Sequence, residues 1–324
     1  MSSERSVLVL SSAAALAMAL LGLGFVVASQ SRAILLDGVF NAVYFAAGLA
    51  TLRIERLLRE PDNARFPFGH AYFESLVNAG KGLLILGISV IALGDAVVAL
   101  VTGGQVIVAE LAIVYALLAV LVCALTAAVL GRGAKRLDSP LVRADADNWK
   151  LNAVVSGAVL AGFCMAPLFE AIGWRAAMPY IDPVLVAAVV LLFLGVPVRM
   201  ARESILELLN RAPDPGLERR VNAAVDEALA ELPVSERHVR MVRPGRTLYV
   251  LVHVVLSERF AFEGLDGLDR IRARLDAAVR RLHSPLMVDA VFTADRRWAQ
   301  PSAGVHSPAE GAIADGRERG RSAG

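Results

Sequence analysis

Long apolar runs dominate the first two thirds of the chain, and short polar or basic segments separate them. The hydrocarbon core of a bilayer is about 30 Å thick and requires about 20 mostly apolar residues per helix. Six segments meet this length, at residues 7–28, 33–54, 73–101, 106–130, 148–171 and 180–200. The pattern therefore predicts an all-α membrane domain of six spanning helices.

The short connections between these runs differ in charge. Basic residues follow the second and fourth runs, namely Arg53, Arg56, Arg59, Arg65, Arg132, Lys135, Arg136 and Arg143. The connection after the third run, at residues 102–105, carries no basic residue. Lys and Arg concentrate in cytoplasmic loops, so the pattern predicts that both termini face the cytoplasm.

The chain changes character after residue 205. Helical periodicity at residues 217–232 and 265–282 alternates with β-branched runs at 237–242, 247–256 and 286–292. Pro244 and Gly245 separate the first two strands, as in a hairpin. The order αββαβ predicts a small α+β cytoplasmic domain of ferredoxin-like or metallochaperone-like type. A domain of this size gains stability by dimerising.

Three regions follow from this reading. Residues 1–205 form the six-span transmembrane domain, and residues 206–298 form the cytoplasmic dimerisation domain. Residues 299–324 are rich in Gly, Ser, Ala and Arg and are expected to be a disordered tail.

Composition and charge agree with a membrane protein. The chain of 324 residues is 56% hydrophobic, and its mean hydropathy is +0.57. A net charge of +2, with basic residues in the loops, does not indicate nucleic-acid binding. The sequence contains no nucleophile–base set or phosphate-binding loop, so an enzyme is not predicted, and no cofactor is expected.

Two polar pairs interrupt the apolar runs. Asp37 and Asn41 lie in the second run, and Asn148 and Asn152 lie at the start of the fifth. Residues four apart share one helix face, so the two pairs could close around one ion. The alternative is that the amides only join helices by hydrogen bonds.

Two further charges lie in the third run. Lys81 and Asp95 are fourteen residues apart, or about 21 Å along a helix, and cannot pair directly. Lys81 is expected to extend its ammonium towards the membrane surface. Neither residue is assigned to the ion site.

Several motifs resemble the cation diffusion facilitator family of proton-coupled divalent-metal exporters. They are Leu36-Asp-Gly-Val-Phe-Asn, Phe66-Pro-Phe-Gly-His-Ala-Tyr-Phe-Glu and Leu208-Leu-Asn-Arg-Ala-Pro before an αββαβ domain. The resemblance covers roughly residues 7–296. It implies a homodimer in a bilayer, here a bacterial plasma membrane, that exports a divalent cation in exchange for protons.

The resemblance also implies where the metal binds. Family members commonly use two aspartates on one helix and a histidine and an aspartate on another, and the matching positions here are Asp37, Asn41, Asn148 and Asn152. Only Asp37 keeps a charge. Such an oxygen-donor set favours Mn²⁺ or Mg²⁺, while Fe²⁺, Co²⁺ and Zn²⁺ stay open. Asp145 could add a second carboxylate if its helix begins early.

Accessory metal sites follow from the same resemblance. His70, with Asp62 upstream, matches a second site in the loop, and the alternative is that His70 orders that loop. His238 and His253 match regulatory ligands of the cytoplasmic domain, and the alternative is that they are ordinary strand residues.

Two other functions remain open. The loss of three usual ligands favours a transport-deficient paralogue that serves as a structural or heterodimer partner. A single carboxylate would also suffice for a monovalent or organic cation.

Overall fold

The protein consists of a helical unit followed by a smaller α+β unit. The computed structural model describes residues 4–57, 60, 63–137, 140–257, 260–261 and 264–299. The boundary between the two compact units lies between Leu209 and Asn210. Each unit is described by itself.

Seven α-helices build the first unit, and their apolar sequences account for their length. They are α1 (Glu4–Ser29), α2 (Arg32–Leu57), α3 (Tyr72–Val101), α4 (Ala109–Leu137), α5 (Pro140–Ala171), α6 (Ile181–Phe193) and α7 (Gly195–Leu208). Six segments are long and apolar enough to cross a membrane, and the sixth, Arg175–Leu208, combines a short 3-10 helix with α6 and α7. The six predicted spans are confirmed.

The structure departs from the prediction within the sixth span and at the start of the fifth. The sixth span is interrupted at Leu194, three residues before Pro197. Proline has no N–H to donate to the carbonyl of residue 193, so the hydrogen-bond ladder breaks there. Helix α5 begins at Pro140, well before the predicted residue 148, because proline is tolerated in the first turn of a helix.

Small residues let the helices approach closely. A Cβ added to Gly22 of α1 would lie 2.6 Å from the Cα of Gly38 in α2, so only glycine fits at this crossing. Helix α4 buries a stripe of small side chains at helical spacing, comprising Ala112, Ala116, Ala119, Cys123 and Ala127. Gly38 follows Asp37, so this close crossing fixes the backbone beside the candidate ligand.

In its described part, the second unit contains two α-helices, a three-stranded sheet and a short 3-10 helix (Arg296–Trp298). Its elements are α8 (Pro215–Leu229), β1 (Val234–Val242), β2 (Leu248–Leu256), α9 (Gly264–Arg280) and β3 (Leu286–Thr293). Strand β2 lies in the centre, antiparallel to β1 and parallel to β3. The predicted αββαβ order and the hairpin are therefore confirmed.

Alternation along β2 separates the two faces of this sheet. Leu248, Val250, Val252 and Val254 are buried and pack with apolar residues of α8 and α9. Side chains of alternate residues, His253 among them, point to the opposite face. The proposed tail lies outside the described residues, except for Ala299.

Candidate metal centre

Asp37 and Asn41 form a local polar pair on α2. The Asn41 Nδ2 donates to the Asp37 backbone oxygen at 2.9 Å and to Asp37 Oδ1 at 3.3 Å. Asn41 is 5% exposed, while Asp37 is half-buried. The spacing of four residues thus brings the two side chains together, as the sequence indicated.

A third residue, Tyr115 of α4, completes this group. Its hydroxyl donates to Asp37 Oδ2 at 2.5 Å. Tyr115 is 3% exposed, and its ring packs against Phe25 with centroids 5.6 Å apart. Each carboxylate oxygen of Asp37 therefore accepts a hydrogen bond. Tyr115 was missed because a lone tyrosine in an apolar run carries no pattern that links it to α2.

The polar residues of α5 differ in their exposure to solvent. Asn148 is exposed, whereas Asn152 and Asp145 are half-buried. The early start of α5 places Asp145 within the helix, so the condition for a second carboxylate is met. Asp147 is exposed and pairs with Lys150 at 2.8 Å. In the described part of the chain, no hydrogen bond joins Asn148 or Asn152 to α2.

Polar side chains also lie near the start of α5. The Trp149 Nε1 of α5 donates to Ser11 Oγ of α1 at 2.8 Å, and the buried Asp145 Oδ2 has no hydrogen-bond partner in the described part of the chain. The Lys81 Nζ of α3 lies 3.9 Å from the centre of the Tyr44 ring of α2. This cation–π contact places the Lys81 ammonium against α2.

At the opposite end of the unit, Asp182 of α6 caps α2. This fully buried carboxylate accepts from Ser31 Oγ at 2.5 Å and from the backbone N–H of Arg32 at 2.8 Å. Arg32 also forms an ion pair with Asp95 of α3. Residues at the start of α2 thus bind two carboxylates of the spans, Asp182 through hydrogen bonds and Asp95 through an ion pair.

The candidate loop site centres on a buried histidine. His70 is 5% exposed, and its ring packs against Phe66 and Phe73 at centroid distances of 5.0 and 5.9 Å. Its Nδ1 is buried and has no hydrogen-bond partner in the described part of the chain. Asp62, its expected partner, lies outside the described residues. The aromatic packing fits the alternative role of ordering the loop.

In the second unit, His238 and His253 face each other across β1 and β2. His238 Nε2 lies 3.8 Å from a carboxylate oxygen of Glu236. Burial, with the nearby Arg240 and His238, lowers the pKa of His253 below its usual value and favours a neutral imidazole. His253 pairs on its other side with Val291, which cannot bind metal. The strand positions therefore supply two imidazoles and one nearby carboxylate.

Oxygen atoms dominate the donors near Asp37. Among the described residues, no group of three or more His, Cys, Asp or Glu side chains lies close enough to hold a metal. Any ion at Asp37 must therefore draw on amide, hydroxyl or carbonyl oxygens as well as the carboxylate. Such ligands suit hard divalent cations better than soft ones.

The six apolar spans and the polar groups buried between them define a multi-pass membrane protein. Residues 8–209 match the cation efflux transmembrane domain. Because this match covers more than half of the chain, the protein belongs to the cation efflux family, also called the cation diffusion facilitators, whose members are metal cation transporters.

A distant relative adds detail. The chain is 26% identical over 201 residues to the manganese efflux system protein MneP of Bacillus subtilis (strain 168). The aligned region covers 62% of this chain and 67% of that protein.

Proposed function

We propose that the protein exports a divalent metal cation from the cytoplasm in exchange for protons, with its ion site between α2 and α5. The observation that carries this proposal is the Asp37 group. Asp37 is a carboxylate inside a membrane span, oriented by Asn41 and Tyr115. Charged groups at this depth are costly and mark ion pathways in membrane proteins.

The proposed ligands are Asp37 and Asn41 from α2 and Asn148 and Asn152 from α5. Asn41 now directs its amide nitrogen at Asp37. A cation shared by the two side chains needs an oxygen in that place, so the Asn41 amide must rotate when the ion binds. Asp145 lies on α5, three residues before Asn148, and supplies the second carboxylate at the entrance to the site.

Manganese is the proposed principal substrate. The ligand set contains one carboxylate and three amides, which suits Mn²⁺ and Mg²⁺ better than Zn²⁺. MneP is named for manganese efflux, which supports Mn²⁺ before Mg²⁺. Fe²⁺, Co²⁺ and Zn²⁺ are expected to be weaker substrates.

Proton exchange is assigned to the carboxylates. Asp37 would take up a proton when the ion leaves, because an empty site favours the neutral acid in a membrane interior. The distribution of basic residues supports a cytoplasmic location of both termini and of the second unit. Ions would therefore enter the site from the end at which α1, α3 and α5 begin.

The second unit is proposed to hold two subunits together. Helices α8 and α9 cover one face of its sheet, and the opposite face exposes Met287 and Val291 by 38% and 39%. A domain of this size gains stability from a partner. We therefore assign a homodimer, in which His238 and His253 stay candidate regulatory ligands.

Flux measurements with the purified wild-type protein test the proposed function. Proteoliposomes are given Mn²⁺, Mg²⁺, Co²⁺ or Zn²⁺ at two pH values, with an imposed proton gradient. We expect Mn²⁺ flux above that of empty liposomes, accelerated by a gradient that drives protons in the opposite direction. Flux of a monovalent cation without flux of any divalent ion would contradict the proposal and favour a monovalent or organic cation transporter. Neither binding nor flux of any ion would favour a transport-deficient paralogue.

Substitution of Tyr115 by phenylalanine tests the hydrogen bond to Asp37. Phenylalanine keeps the packing against Phe25 but donates nothing to the carboxylate. Loss of a partner that orients a metal ligand typically weakens metal affinity about 10-fold or more. We expect the Mn²⁺ concentration at half-maximal flux to rise by this factor in Tyr115→Phe. An unchanged value would show that Tyr115 does not orient Asp37.

A further inference from the structure

Helix α3 touches α2 on both sides of the proposed ion ligands. Where α2 begins, the Arg32 guanidinium forms an ion pair with the Asp95 carboxylate of α3 and donates to the Asp95 backbone oxygen at 3.3 Å. Further along α2, the Tyr44 ring lies 3.9 Å from the Lys81 ammonium of α3. The proposed ligands of α2 lie between these two contacts. We call the end at Arg32 the outer end, since it is opposite the proposed cytoplasmic side.

The two contacts fit one antiparallel pairing of α2 with α3. Arg32 and Tyr44 are twelve residues apart in α2, which corresponds to about 18 Å of helix. Lys81 and Asp95 are fourteen residues apart in α3, which corresponds to about 21 Å. Because these lengths are similar and the two helices pack together, both contacts hold at the same time.

The half of α3 that carries Lys81 is packed closely on α7. A Cβ added to Gly82 would lie 2.7 Å from the backbone nitrogen of Ala201, so the two backbones are in contact. One turn and a half earlier, Ser75 Oγ donates to Glu207 Oε2 at 2.7 Å. Closely packed interfaces resist deformation, so this half of α3 is firmly held.

The outer half of α3 is held by weaker contacts. Ala96 belongs to a small buried cluster with Leu36 of α2 and Val186 of α6. The neighbouring Arg32 and Asp95 side chains are 37% and 48% exposed, and ion pairs as exposed as this one contribute little to stability. Separating the outer half of α3 from α2 therefore costs less than separating the inner half from α7.

We propose that the Arg32–Asp95 ion pair is the latch of an outer gate. It holds the outer half of α3 against α2 while the ion site is open to the cytoplasm, and it opens when the ion is released. Leu36 directly precedes Asp37, so the apolar cluster beside the latch closes the outer side of the proposed site. Arg32 and Asp95 are thus positioning residues that act through their helices. This inference rests on the proposed function, which requires the ion to leave Asp37 through the outer end.

Cross-linking the two positions tests whether this contact opens. Arg32→Cys and Asp95→Cys are combined with Cys164→Ser, which removes an exposed native thiol, and a short reducible bifunctional reagent joins the introduced cysteines. We expect the cross-linked protein to lose Mn²⁺ flux in proteoliposomes, to regain it on reduction and to keep its Mn²⁺ binding in detergent. Asp147→Cys with Lys150→Cys is the matched control, because a link within one helix restrains no helix movement.

Charge reversal separates a gate from a purely structural contact. Leu36→Cys, in the Cys164→Ser protein, reports on opening because Leu36 is 6% exposed and lies one turn beyond Arg32. An aqueous thiol reagent should label this cysteine several-fold faster when Arg32→Asp breaks the ion pair. Adding Asp95→Arg restores opposite charges and should return the labelling rate to its original value.

Two results would overturn the inference. One is Mn²⁺ flux by the cross-linked Arg32–Asp95 variant at the rate of its control, and the other is fast labelling that persists in the charge-reversed double variant. Absence of flux of every divalent ion from the wild type would instead refute the proposed function. The labelling rates would still show whether the ion pair closes the outer end.

Discussion

Replacement of Asp37 by alanine is expected to abolish divalent cation flux. Asp37 is the charged member of the proposed ligand set, and the other members are neutral amides. Removing the charged partner of a buried ionic interaction commonly costs about 3–5 kcal/mol, which corresponds to a loss of about 100-fold or more in affinity. Flux of Mn²⁺ into proteoliposomes, measured over a range of concentrations, checks this result.

Two further variants make the Asp37 experiment specific. Asp37→Asn keeps the shape and an acceptor for Tyr115 but removes the charge, so it should lose flux while remaining as stable as wild type. Asp147→Ala removes an exposed carboxylate that pairs with Lys150 on the helix surface, and it should retain flux. Normal flux of every divalent ion by Asp37→Ala would exclude Asp37 as the essential ligand.

The helices could be predicted because their signal lies in consecutive residues. Length and apolar character identified six spans, and β-branched runs identified the strands of the second unit. The early start of α5 was missed because Arg143, Asp145 and Asp147 lower the hydropathy of the residues before 148, although such polar residues are ordinary in the first turns of a helix. Hydropathy records where a lipid environment begins, which is a different boundary from the start of the helix.

The site was predictable where its contacts are local. Asp37 and Asn41 are four residues apart, so helix geometry alone joins them. The Tyr115 contact with Asp37 spans 78 residues, and its formation depends on how α4 packs against the first two helices. No periodicity in the sequence encodes that packing. The family resemblance predicted ligand positions, but it gave no information about Tyr115, which donates a hydrogen bond to Asp37.

Asp182 is another residue whose role could not be predicted from the sequence. It lies in an otherwise apolar span, and a carboxylate at membrane depth already indicates a functional or paired residue in the sequence. Its partner Ser31 is 151 residues away, so the role of Asp182 follows only from the fold. Asp182 thus stabilises the start of α2, whereas Asp37 on the same helix is the proposed ion ligand.

Substitution of Asp182 by alanine is expected to destabilise the helical unit strongly. The carboxylate accepts from Ser31 Oγ and from the backbone N–H groups of Arg32 and Ala33, at 2.5, 2.8 and 3.3 Å. These donors belong to the start of α2, where the N–H groups have no partner within the helix. Hydrogen bonds to a charged group contribute about 1.5–3 kcal/mol each, so a loss of about 3 kcal/mol in unfolding free energy is a conservative expectation.

Thermal unfolding in detergent measures this loss, with Asp147→Ala as the matched control on an exposed face. Asp182→Asn retains one acceptor oxygen and should fall between alanine and wild type. Because α2 carries Asp37 little more than one turn from this cap, the alanine variant should also bind Mn²⁺ more weakly wherever it remains folded. A melting temperature equal to that of the Asp147→Ala control would show that packing alone, including the Gly22–Gly38 crossing, fixes the start of α2.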